Sequence, residues 1–268
     1  MKQTILVTGA SSGFGLLVAT QLHNKGYQVI GTSRNPERYQ AGVPFTLMEL
    51  DIANDHSIEN FSKQLFNSTS RLDVLINNAG FYLSGLAEET TIEQGRGQLE
   101  TNFWGTVKLT HALLPHFRKQ RSGKIITVGS IMGLLSFPNA AYYAASKHAL
   151  EGYFKSLRFE LSEFNIRVCL VEPMGFKTNL MSSSTVAHGK IDDYNPYRTK
   201  IEAFAKNLFS NSPEPAPVID TIIKLVGHKD PKFSNPVGKG ASLILGLQHF
   251  AYNTYEKLII KNINKAAV

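Results

Sequence analysis

The sequence predicts an α/β fold, a doubly wound and mainly parallel sheet with helices on both faces, and three observations carry that prediction. Apolar runs of strand length alternate with helical patterns from Thr4 to Glu172. The first run, TILVT at 4–8, breaks directly into a glycine-rich turn and then a helix, a layout in which backbone N–H groups and a helix N-terminus cradle phosphate. The chain has 268 residues, 43% of them hydrophobic, enough for one sizeable core, so a single domain over 1–268 is expected.

Thr4 to Thr8 is the first predicted strand. Leu16, Leu17, Ala19, Thr20 and Leu22 then carry helical spacing up to Lys25-Gly26, where a basic residue and a glycine mark a helix end. Between them lies TGASSGFG. Gly9 allows the tight turn, the small residues Ala10, Ser11 and Ser12 let backbone N–H groups approach a pyrophosphate, Gly13 and Phe14 lead into the helix, and Gly15 lets it pack closely on the strand.

Tyr27 to Ser33 is the second strand. A carboxylate at its end would bind the ribose hydroxyls of NAD and repel the extra phosphate of NADP, but the end here reads Thr32-Ser33-Arg34, with no acid before Glu37. A small hydroxyl followed by a guanidinium suits a 2′-phosphate, so Ser33 and Arg34 favour NADP(H) over NAD(H). Phe45 to Leu50 is a third strand closing on Asp51-Ile52, and a helix from Asp55 or His56 to about Ser70 follows. Leu72 to Ile76 closes on Asn77-Asn78-Ala79-Gly80, where small residues leave room for a cofactor and asparagine amides can tie neighbouring strand ends together.

Phe81 to Gly97 is expected to be irregular and mobile, because Gly95 and Gly97 delay the next helix until about Leu99; it then runs past Pro115 to Arg121 with Asn102 inside it. Lys124 to Val128 has the length and β-branched content of a buried strand, the next helix spans Tyr142 to about Phe164, and Ile166 to Glu172 is another strand. Pro173-Met174-Gly175-Phe176-Lys177-Thr178 follows it. Residues 179–212, rich in Ser and Gly and containing His188, read as a mobile loop ahead of a short helix. Beyond them come a helix at about Pro215 to Val226, a short last strand within Asp230 to Gly238, and a helical extension at about 241–262. In that extension Leu243, Leu247, Phe250, Leu258 and Ile259 are apolar, while Lys257, Lys261 and Lys265 are basic; it fits packing on its own domain, over a substrate pocket, against another subunit or on a membrane surface.

Composition narrows the classes. The single cysteine, Cys169, sits in an apolar run and cannot form an intrachain disulfide, which makes it a core thiol and points to a reducing, cytoplasmic setting. MKQTILVTG is too short in apolar residues for a signal-peptide core, and no run approaches a membrane span. The net charge of +7 is spread along the chain and not gathered in a patch, so a phosphate-bearing cofactor is expected and nucleic acid is not.

The chemistry concentrates between Gly129 and Lys147, GSIMGLLSFPNAAYYAASK. Ser130 falls at the carboxyl end of a strand, and Tyr143 and Lys147 are four residues apart, one above the other on a helix. An ammonium near a phenol favours the ionised form, and a hydroxyl beside it can hold a carbonyl oxygen.

These motifs, TGASSGFG, NNAG, Ser130 thirteen residues before Tyr143, and Tyr-x-x-x-Lys, resemble those of the short-chain dehydrogenase/reductase family, in order and over nearly the whole chain. The tail is similar to those of its hydroxysteroid- and retinol-dehydrogenase-like members. The resemblance implies a Rossmann-type fold and hydride transfer between nicotinamide and a carbonyl or alcohol carbon, with Tyr143 as proton donor, Ser130 holding the substrate oxygen, Lys147 assisting and binding ribose, and Asn102 keeping a water path through a helix kink. It further implies that Asp51 meets adenine, that Asn78, Ala79 and Gly80 border the cofactor, that Pro173, Gly175 and Thr178 contact the nicotinamide carboxamide, and that residues 179–212 form a substrate lid. Met174 stands where relatives carry glycine, and Ser12 distinguishes the compact branch from extended, epimerase-like relatives. Leu134, Leu135, Phe137, Met174, Phe176 and Phe204 are the expected pocket residues; their apolarity suggests a carbonyl reductase acting on an aliphatic, aromatic or steroid-like ketone or aldehyde, or on the corresponding alcohol. A non-catalytic NADP(H)-binding redox sensor is the alternative. Association into a homodimer or homotetramer is expected.

Overall fold

The computed structural model of the chain describes residues 2–177, 184–210 and 212–266. Its centre is a seven-stranded parallel sheet built from β1 (Thr4–Val7), β2 (Gln28–Ser33), β3 (Thr46–Glu49), β4 (Val74–Asn77), β6 (Gly123–Val128), β7 (Ile166–Pro173) and β9 (Ser234–Val237). The spatial order is β3-β2-β1-β4-β6-β7-β9, so the direction of winding reverses between β1 and β4. In such sheets ligands bind at the carboxyl ends of the strands where that reversal opens a crevice.

Alternation along each strand divides the core into two layers. Ile5 and Val7 face one side with Ile76, Val128 and Val171, and are covered by Val18 and Leu22 of α1 (Gly13–Asn24) and Ile219 and Ile222 of α7 (Ala216–Gly227). Leu6, Leu75, Ile125 and Leu170 face the other side under α2 (Asp55–Ser68), α4 (Thr106–Gln120) and α5 (Ala141–Glu160), which contribute Phe61, Phe117 and Phe154, none more than 1% exposed. Cys169 is fully buried in the first layer and its thiol is pushed up to about 12 by burial, as befits a packing residue.

Three elements depart from the sequence expectation. Helix α3 (Ile92–Leu99) starts seven residues early, nucleated by a capping box in which the Thr91 hydroxyl accepts from the Gln94 N–H and the Gln94 side chain accepts from the Thr91 N–H. Gly95 does not break it: a Cβ there would sit 2.3 Å from the Tyr142 ring, so the glycine allows α3 to lie against α5. A second, two-stranded sheet pairs β5 (Leu83–Ser84) with β8 (Thr185–Val186), which ties the expected lid region to the body. That region continues into α6 (Asn195–Ser210), and Arg198 is clamped to the Glu89 carboxylate while Tyr194 Oη donates to Glu88 at 2.9 Å. Its described part is therefore fastened down, where the composition suggested a loose loop. Finally, the extension is two helices, α8 (Ala241–Phe250) and α9 (Tyr252–Lys265), divided at Ala251, whose φ of −144° leaves the helical region.

Candidate active site

The strand ends and the loops after them enclose one cavity of about 830 Å³. Its floor is the glycine turn. Gly9 has φ +64° and Gly13 φ +54°, values that glycine adopts without the penalty of a Cβ. Gly15 lies beneath the turn and not on the cavity wall; a Cβ on it would come within 2.3 Å of the Gly9 carbonyl oxygen. The turn is held from the side by Asn78, whose Nδ2 donates to the Thr8 and Gly9 carbonyls at 2.9 and 3.3 Å. The Asn78 and Ala79 N–H groups in turn donate to the Thr8 hydroxyl oxygen. The expected tie between strand ends is present, and Asn77 extends it by donating to Thr110 and Thr127.

Along the cavity rim come Ser11, Ser12 and Phe14, then Ser33 and an exposed Arg34 at the end of β2, then Asp51 and Ile52. Among the described residues Arg34 makes no ion pair, and no carboxylate other than Asp51 lines the cavity. Asp51 Oδ1 accepts from Ala53 N–H at 3.0 Å, which fixes its carboxylate. Pro173 and Gly175 close the far side. The positive φ of that loop falls on Gly175 (+59°), so Met174 keeps an ordinary backbone conformation and its side chain lines the cavity. Thr178 lies outside the described residues.

Ser130, Tyr143 and Lys147 meet deeper in. Ser130 caps a short helical turn, its Oγ accepting from Met132 N–H at 3.1 Å, and its hydroxyl is within hydrogen-bonding reach of the Tyr143 phenol. Burial pushes the phenol up to about 12, the Ser130 hydrogen bond opposing it in part. Lys147 is buried as well; its Nζ donates to the Val128 carbonyl at 3.0 Å and lies 5.7 Å from the Tyr143 ring centre. Burial holds the ammonium down to about 8, with the charge of Glu151 working the other way. Burial therefore sets the phenol, and the lowering expected from Lys147 does not appear.

Asn102 is 1% exposed and sits in a π-helical stretch, Glu100–Gly105, between α3 and α4. Its side chain grips the Phe81 backbone at both ends, donating to the carbonyl at 2.9 Å and accepting from the N–H at 3.0 Å. Nδ2 also reaches the Ser146 hydroxyl at 3.4 Å, and that hydroxyl donates to the Tyr143 carbonyl. The Asn102 carbonyl accepts from Thr106 Oγ1 at 3.0 Å.

The apolar end of the cavity is formed by Tyr82, Ile131, Met132, Phe137 and Met174. Tyr82 crosses the Tyr143 ring edge to face, with centroids 4.7 Å apart. Of the expected pocket residues, Phe137, Met174 and Phe176 line the cavity. Leu134 and Leu135 turn away: the short helix at Ile131–Gly133 directs Ile131 and Met132 to the cavity and sends Leu135 under α8 and α9, 1% exposed beside Ala241 and Tyr255. Phe176 packs edge to face on Phe14 beside the glycine turn, and Phe204 on α6 does not line the cavity. Tyr82 and Met132 were missed, although each lies within two residues of a recognised motif. His188 is exposed, and its N–H donates to Gln94 Oε1 at 3.2 Å.

Comparison with known proteins defines the class. The short chain dehydrogenase family matches residues 3–188. The chain is 38% identical over 238 residues to a 3-ketodihydrosphingosine reductase of Bacteroides thetaiotaomicron, covering 88% of each. A short-chain dehydrogenase structure from Streptomyces avermitilis superposes with a TM-score of 0.84 at 30% identity, covering 100% of this chain and 99% of that one. The structure of ElxO with NADP bound gives 0.74 at 26% identity, covering 91% of this chain and 100% of that one. The chain belongs to the short-chain dehydrogenase/reductase family. It is an oxidoreductase of that family.

Proposed function

We propose that the protein uses NADPH to reduce an apolar ketone or aldehyde to the alcohol. The observation that carries this reading is the meeting of the Ser130 and Tyr143 hydroxyls and buried Lys147 in one cavity with the glycine cradle at one end and an apolar wall at the other. The cradle fits a dinucleotide, since a Cβ on Gly9 would come within 3.0 Å of Ala79 Cα. Ser33 and the unpaired guanidinium of Arg34 suit a 2′-phosphate, and the NADP bound to ElxO supports the same choice.

Gly9, Ser11, Ser12, Gly13 and Phe14 would hold the pyrophosphate, Asp51 and Ile52 the adenine, and Asn78 to Gly80, Pro173 and Gly175 the nicotinamide half. The bound nicotinamide supplies hydride. Ser130 holds the substrate oxygen and stabilises the charge developing on it. Tyr143 gives its proton to that oxygen; a phenol pushed up to about 12 carries that proton near neutrality. Lys147 supplies positive charge beneath the phenol and binds ribose hydroxyls, and Asn102 anchors the path by which the proton is replaced. The family relative acting as a 3-keto reductase supports the direction of reduction. We assign the chain to one domain with a lid over the pocket drawn from residues 184–210; residues 179–183 and 211 of the expected lid lie outside the described residues. Association through the helices around Asn102 and Tyr143, where Ile92 of α3 and Trp104 of the π-helical stretch are 57% and 48% exposed, gives a homo-oligomer in this reading.

The test is a fluorescence titration with NADPH and NADH followed by oxidation assays on a panel of apolar ketones and aldehydes. Tight NADPH binding with turnover supports the reading. Preference for NADH removes the Arg34 argument, and binding without turnover across the panel transfers the protein to the sensor alternative.

A further inference from the structure

Five of the eleven large hydrophobic side chains that the described residues leave exposed fall between Leu243 and Ile260, on the two helices α8 and α9. Leu243 and Phe250 are 78% and 86% exposed, and seven residues apart they lie on the same side of α8, two turns from one another. The inner side of α8 is spent on the core: Ala241 is buried, and Ile244, Leu245 and Leu247 pack with Ile131, Leu135 and Met174. Helix α9 is sorted in the same way. Tyr255, Ile259 and Ile263, four residues apart, point inward, and Tyr255 Oη donates to the Ser136 carbonyl at 2.6 Å. Lys257, Lys261 and Lys265, also four apart, run along the opposite side, with exposed Leu258 and Ile260 on its shoulders.

A soluble surface does not need bulky apolar groups this open at this density. What covers them is decided by the charge. From Ala241 to Ala266 there are three lysines and a single acidic residue, Glu256. A second copy of the chain, docked through this face about a two-fold axis, would set one lysine stripe near the other. Nucleic acid would match the lysines and leave Leu243 and Phe250 in water. An anionic bilayer matches both, because phosphate headgroups meet the ammonium groups while the apolar side chains reach the acyl boundary. No helix among the described residues is long and apolar enough to cross a membrane.

We infer that α8 and α9 form a docking face by which this protein binds the surface of an anionic membrane. The inner sides of these helices pack on Met132, Phe137 and Met174, the apolar wall of the cavity. Docking therefore brings that wall next to the bilayer, and a membrane-dissolved ketone becomes the accessible substrate class; this last clause rests on the carbonyl-reductase reading.

Flotation of the full chain with vesicles tests the inference. Wild type floats with vesicles containing phosphatidylglycerol and not with pure phosphatidylcholine, and the binding weakens in high salt. Lys257→Gln, Lys261→Gln and Lys265→Gln each weaken it about fivefold, and Leu243→Ser with Phe250→Ser weakens it by at least about tenfold. Far-UV circular dichroism of these surface variants stays that of wild type. Failure of wild type to float with anionic vesicles overturns the inference. So does flotation that survives Leu243→Ser with Phe250→Ser, and a change in that variant from oligomer to monomer with flotation intact would hand the face to a second copy. Flotation without turnover of any carbonyl leaves the docking face standing and removes the reductase reading, while turnover without flotation does the reverse.

Discussion

Replacing Gly15 with alanine probes the cofactor cradle from a position that does not itself line the cavity. The added Cβ would lie 2.3 Å from the Gly9 carbonyl oxygen and 2.5 Å from Asn78 Nδ2, whereas ordinary contact begins near 3.4 Å, so something must move by about 1 Å. Gly9 cannot simply retreat. It is held at φ +64° with Ala79 behind it, and Asn78 is bonded to both the Thr8 and Gly9 carbonyls. Overpacking of this kind costs about 1–3 kcal/mol, and loosening the Asn78 hydrogen bonds adds about 1 kcal/mol. At roughly 2–4 °C per kcal/mol for a chain of this size, Tm falls by roughly 5–15 °C. A cradle displaced by about 1 Å weakens NADPH binding by about tenfold or more. Calorimetry and a fluorescence titration read both effects. Gly97→Ala is the control: its Cβ meets nothing within 4 Å inside α3, so stability should hold or rise by up to about 1 kcal/mol. A Gly15→Ala variant with wild-type Tm and NADPH affinity would refute the reasoning.

Three further outcomes are expected. Arg34→Ala weakens NADPH binding about tenfold, the worth of a charge-assisted phosphate contact, and leaves NADH binding unchanged when the two titrations are compared. The reduction rate at saturating NADPH declines as pH rises through about 8, where Lys147 loses its proton, while Tyr143 stays protonated. Asn102→Ala strands the Phe81 N–H, while the Phe81 carbonyl keeps its bond from Gln98 Nε2, costing about 1–3 kcal/mol in urea unfolding and lowering kcat.

What the sequence made legible was local. The strand–turn–helix start, the NNAG tie and the Ser130, Tyr143, Lys147 spacing each depend on residues close in the chain, and all three lead to the same cavity. Asn102 was visible only through resemblance, since a helix-interior asparagine carries no spacing signal and its partner, Phe81, is 21 residues away. The pocket wall was less legible. Apolar character does not distinguish Leu135, buried under α8 and α9, from Met132, which faces the cavity three residues earlier. Gly95 read as a helix breaker because the Tyr142 ring it accommodates belongs to another helix. The clasp between Glu89 and Arg198, 109 residues apart, had no sequence signal at all. Burial likewise overrode the expected lowering of the Tyr143 phenol, because spacing conveys proximity to Lys147 but not the loss of water around both groups.

The central claim is that Tyr143 is the proton donor of a carbonyl reduction. The most direct measurement is the single-turnover rate of ketone reduction by NADPH-loaded Tyr143→Phe beside wild type, with the NADPH affinity of each determined by titration. The account predicts NADPH affinity within a few-fold of wild type and a rate lowered by about a thousandfold or more, in the range that a positioned proton donor supplies. A variant that binds NADPH normally and reduces the ketone at a rate near wild type would contradict it.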